Sequence, residues 1–159
     1  MNITPEWISA AASSVTAIGL VFAFWQLRVT KVIAQLQFED GLAKEYRELA
    51  NKIPTDALLG QELDEEGYRK TFDDFYRYID LSNEQVSLRQ RDRVSEDVWK
   101  NWSEGIQTNL SLPAFNKAWT DIKARSNSFQ ELRRLEAENY LVDPRRWKQP
   151  IFIERVGLP

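Results

Sequence analysis

The distribution of charged and apolar positions divides the chain near residue 27. From Trp7 to Leu27 (WISAAASSVTAIGLVFAFWQL) there is no Asp, Glu, Lys or Arg, whereas charges recur every few positions afterwards. About 20 residues at roughly 1.5 Å each match the roughly 30 Å hydrocarbon layer of a bilayer, so the stretch predicts one transmembrane helix. The pattern then becomes amphipathic. Val29, Val32 and Leu36, followed by Leu42, Tyr46, Leu49 and Ile53, alternate spacings of three and four, the period of a helix with one apolar face. The transmembrane helix therefore continues inward as a stem, with a weak point at Gly41 and a stop at Pro54.

Shorter helices follow. Thr55 caps a turn over 56–59 that stops at Gly60. The acidic run QELDEEG reads as a surface loop, since the spacing of a calcium-binding EF-hand is absent. A helix over about 65–89 carries Phe72, Tyr76, Ile79, Asn83 and Val86 on one stripe, with Phe75 beside it. Ser95 caps a helix over about 96–110 with Trp99, Trp102, Ile106 and Leu110 on its apolar face. Pro113 suits the first turn of the next, which carries Phe115, Trp119 and Ile122. Asn127 or Ser128 starts a last helix through about Glu138, with Phe129, Leu132 and Leu135. Aromatic helix faces usually pack on one another, so these stripes predict a core. The expected fold class is all-α: a single N-terminal transmembrane helix within 1–27, a stem helix over 28–53, a compact helical domain over 54–139 and an extended tail over 140–159.

Composition narrows the chemistry. The 159 residues include no Cys and no His, which removes disulfides, Ser–His and Cys–His catalysis, and most zinc and haem sites. A net charge of −3 argues against nucleic acid as a partner. No cofactor is implied.

Charge also orients the anchor. Arg28 and Lys31 follow the apolar stretch, while Glu6 is the charged residue before it. Lys and Arg mark the cytoplasmic side, so the N-terminus is expected outside and the domain inside, with Arg28, Lys31 and later Trp147 as membrane-interface contacts. A cleaved signal peptide needs a basic leading segment, which MNITPEW lacks. A buried helix of a soluble fold is the other rival, because the stretch holds Ser9, Ser13, Ser14, Thr16 and several Ala. Ser9, Ser13 and Ala17 recur every fourth position, a small-residue face that lets transmembrane helices approach closely.

Three further groups stand out. Arg77, Asp80, Asn83 and Glu84 form a polar set on the helix over 65–89. Asn83 occupies a core-facing position, where an amide needs partners and can fix the register of two helices. Arg77 is within reach of Asp73 and Asp80 along the helix. Asp80 and Glu84 could instead hold Mg²⁺ or move protons, yet one helix supplies only part of such a site. Arg89, Arg91 and Arg93 suit the C-terminal end of the helix dipole, or anionic lipid heads. In DPRRWK, Trp147 is flanked by Arg145, Arg146 and Lys148, a mix that suits either an arm strapped across the domain or a membrane interface.

The Phe/Tyr-rich helix ending in Asn83–Glu84, the helix with Trp99 and Trp102, and the segment with Pro113, Ala114, Phe115, Ala118 and Trp119 resemble small bacterial proteins of unknown function. These have one N-terminal transmembrane helix and a helical cytoplasmic domain. The similar run covers about a third of the chain. The resemblance implies the same architecture in a bacterial inner membrane, and it carries no activity or site with it. Three functions fit these observations. The first is a membrane-anchored helical binding or scaffolding module without catalytic activity, whose partners are the lipid bilayer, a second copy of itself (a homo-oligomer) or another protein. The second is a small channel or membrane-disrupting effector of the bacterial defence type. The third is a Mg²⁺-dependent enzyme using Asp80 and Glu84.

Overall fold

The computed structural model describes the backbone over residues 5–147, and side chains at Thr16 and over 18–147. Among these residues the fold is all-α. Helix α1 spans Pro5–Ala50, α2 Thr55–Leu58, α3 Glu65–Gln90, α4 Glu96–Ser111, α5 Pro113–Arg125 and α6 Gln130–Ala137, and a 3₁₀ turn covers Pro144–Arg146. The chain forms two compact units, 1–40 and 41–159.

In the first unit, α1 carries its apolar side chains on the outside. Ile18, Leu20, Val21, Phe22, Phe24, Trp25 and Leu27 are all exposed. Among the described residues no helix is long and apolar enough to cross a membrane. The predicted span from Trp7 to Leu27 includes the side chains of 7–15 and 17, which lie outside the described residues.

The second unit is built around α3, which packs against α4, α5, α6 and the 3₁₀ turn. The predicted stripe is buried in part: Ile79 and Val86 are fully enclosed, as are Phe75 beside them and Phe115, Trp119, Leu132 and Leu135, whereas Tyr76 is exposed and Phe72 and Asn83 are half-buried. Each such side chain contributes about 1.5–3 kcal/mol through its removal from water. Phe75 and Phe115 meet edge to face at 4.8 Å, and Tyr78 meets Phe115 in the same manner at 5.1 Å, which adds about 0.5–1.5 kcal/mol per pair. The last turns of α1 join this unit through Leu42 and Leu49, which pack with Leu81.

The ends of helices show where local chemistry prevails. The chain leaves α1 at Ala50, slightly before the expected stop. Lys52 N–H then reaches Leu49 O at 3.0 Å and Ile53 N–H reaches Ala50 O at 3.2 Å, a tightened last turn forced by the residue that must precede Pro54 in extended form. Gly41 does not interrupt the helix. Gly60 takes φ +84° to reverse the chain after α2, a conformation that favours glycine. Helix α6 starts later than Asn127 or Ser128 suggests. Phe129 precedes it in the left-handed region at φ 64°, which costs roughly 1–2 kcal/mol for a residue with a Cβ. Burial of its ring against Tyr76 and Trp119 offsets that cost.

Candidate functional site

The polar set on α3 separates into one structural residue and three surface ones. Asn83 is half-buried, and its Oδ1 accepts from Leu132 N–H at 3.0 Å. Leu132 is the third residue of α6, so Asn83 caps that helix from a neighbouring one. The cap fixes α6 against α3. Arg77, Asp80 and Glu84 are exposed, and no ion pair joins Arg77 to Asp73 or Asp80 among the described residues. The surface pairing expected along α3 therefore does not form, because water solvates these groups more cheaply than a shared geometry would. Among the described residues, no three Asp, Glu, His or Cys side chains are grouped to hold a metal ion.

Arg89 has a different role from the one its place at a helix end suggests. It is 1% exposed. Its Nε donates to Asp143 Oδ1 at 3.0 Å, a second guanidinium nitrogen bonds the other Asp143 oxygen, and Nη1 donates to Val94 O at 2.8 Å. This fork ties the segment after α6 to α3. Burial alone would raise the Asp143 carboxyl, but the Arg89 hydrogen bonds, the Arg145 N–H and the nearby positive charge outweigh it. The carboxyl is held below its ordinary value.

Trp147 corrects the membrane-interface reading. It is 5% exposed, its Nε1–H donates to Glu138 at 2.6 Å, and Arg134 lies 4.5 Å over its ring. An indole enclosed in the core has no face left for lipid. The DPRRWK segment is thus strapped onto the domain as far as Trp147. Lys148 and the rest of the tail lie outside the described residues, as do the side chains of Ser9, Ser13 and Ala17. Arg28 and Lys31 are exposed on α1.

Beside the core, Asn109 holds two phenols. Its Nδ2 donates to Tyr78 Oη at 2.9 Å and to Tyr46 Oη at 3.5 Å. Burial pushes the Tyr78 hydroxyl up to about 12 against the opposing pull of the Asn109 bond. Burial first, then the hydrogen bond to Asp121, also raises Tyr68. Both groups stay protonated and neutral at physiological pH, where they position neighbours rather than transfer protons.

Comparison with known families, with characterised proteins and with solved structures finds no match to this chain.

Proposed function

We propose that the protein is a membrane-anchored helical binding or scaffolding module that assembles with itself. One observation carries this reading: the side chains of Ile18, Leu20, Val21, Phe22, Phe24, Trp25 and Leu27 are all exposed on α1. An exposed apolar surface of this extent marks a membrane or protein interaction site. The sequence carries no charge from Trp7 to Leu27, which supports the same reading toward the N-terminus. Arg28 and Lys31, exposed just past it, suit the headgroups of the cytoplasmic leaflet and support an orientation with the domain inside. The spacing of Ser9, Ser13 and Ala17 supports contact between copies through closely packed helices. The domain supplies a rigid aromatic core and neutral phenols rather than paired reactive groups, which favours holding a partner over transforming one.

The test is an alkaline carbonate wash of membranes carrying the full chain, followed by crosslinking and mass measurement. Retention in the pellet together with crosslinked multimers is expected. Release as a monomeric, water-soluble particle contradicts the proposal.

A further inference from the structure

A cavity of about 310 Å³ opens in the domain between the C-terminal turns of α1, the middle of α3 and the middle of α4. Tyr46, Tyr78 and Trp102 give it aromatic walls, and Arg47, Gln85 and Gly105 complete the part that matters here. Two of those walls are fixed in advance. Asn109 ties both phenols, and the Tyr46 and Tyr78 rings meet edge to face at 6.1 Å.

Gln85 is the unusual member. It is 4% exposed and lines the cavity. Its carboxamide is open to the cavity rather than sealed in the core, so an occupant can take over hydrogen bonds that water otherwise makes. Gly105 adds a second anomaly. It lies in the interior of α4, where glycine is about 1 kcal/mol worse than alanine, and a Cβ there would meet nothing within 4 Å. Packing does not require the glycine; its missing side chain only widens the cavity.

The lining specifies the chemistry of a ligand. The aromatic walls accept a flat ring. The Gln85 carboxamide offers one donor and one acceptor side by side, the pattern that glutamine uses to pair with a nucleobase edge. Arg47 is exposed, and its guanidinium can hold a single phosphate. The cavity volume falls within the range of small-molecule sites. One cation in a chain of net charge −3 suits one phosphate and not a polynucleotide. We propose that this cavity binds a nucleoside monophosphate, with the base against Gln85 between the aromatic walls and the phosphate at Arg47.

The test uses the full chain in nanodiscs, titrated calorimetrically with AMP, GMP, CMP and UMP in separate runs. At least one should bind once per chain with Kd below about 1 mM, and its phosphate-free nucleoside should bind about tenfold more weakly. Gly105→Leu should fill the cavity and remove binding without lowering the thermal midpoint, because it also improves the helix. Gln85→Met, which keeps the volume, should weaken binding about tenfold. The proposal is overturned if none of the four binds at 10-fold above that concentration, about 10 mM. It is equally overturned if Gly105→Leu binds like the parent, or if the nucleoside binds as tightly as the nucleotide.

Discussion

Phe22 and Phe75 are the same side chain on two α-helices of one chain, yet the first is 56% exposed and the second fully enclosed. Phe75 is enclosed with Ile79 and Val86 of its own helix and Phe115 of α5. Phe22 meets the ring of Trp25, itself exposed, and the exposed set continues through Val29, Val32 and Leu36. The domain removes its apolar surface from water by packing on itself. The N-terminal helix carries an equally apolar surface that the fold does not cover, so its stability in a cell depends on what surrounds it. Under the proposed function, lipid is the solvent that covers this surface.

The sharpest way to break the comparison is to truncate both phenylalanines. Phe75→Ala should lower the stability of the domain by about 3–5 kcal/mol, read as a shifted urea midpoint in the near-ultraviolet circular dichroism of the full chain. Phe22→Ala should leave that midpoint in place. A charge tests the other side. Val21→Arg should oppose membrane insertion by about 2.5–3.5 kcal/mol, lowering the fraction retained in carbonate-washed membranes while the domain's midpoint stays constant.

The Arg89–Asp143 fork asks how the domain holds the segment after α6. Removing a partner from a buried pair costs about 3–5 kcal/mol, but Asp143 is about a quarter exposed and can regain water. Arg89→Met should therefore cost about 2 kcal/mol, below that range. The pH dependence follows from the depressed Asp143 carboxyl. Its contribution is complete above the ordinary value of 3.8 and is lost as pH falls through the lower folded value. Acid unfolding should accordingly be steeper in the parent than in Asp143→Asn. The smallest effect belongs to the cap: Asn83→Ala should cost about 1 kcal/mol and should speed amide exchange at Leu132 more than at Phe75.

Much of the domain is legible in the pattern of apolar positions, because the period that defines a helix also names its buried face. Phe75, Ile79, Val86, Trp99, Ile106, Trp119 and Ile122 lie in the core for that reason. Features that depend on distant partners are not legible in this manner. Arg89 at a helix end reads as a complement to the dipole, and only its meeting with Asp143, 54 residues later, makes it a core residue. The start of α6 is set by Asn83 on another helix rather than by Asn127 or Ser128 beside it. Trp147 among three cations reads equally well as surface or strap until Glu138 accepts its N–H. Gln85 gave no signal at all, since an amide between Glu84 and Val86 is ordinary until α1 and α4 close a cavity around it.

The chain lacks cysteine, so a single cysteine carrying a nitroxide reports one position without background. With the full chain in lipid vesicles, the label would be placed in turn at each of residues 18–27 and at Leu59, which is as exposed on the domain as Val21 is on α1. Collisions with oxygen, which concentrates in lipid, should exceed those with a water-soluble nickel chelate throughout 18–27, and the order should reverse at Leu59. A nickel chelate that wins at every position from 18 to 27 would show that water, not lipid, surrounds the N-terminal helix.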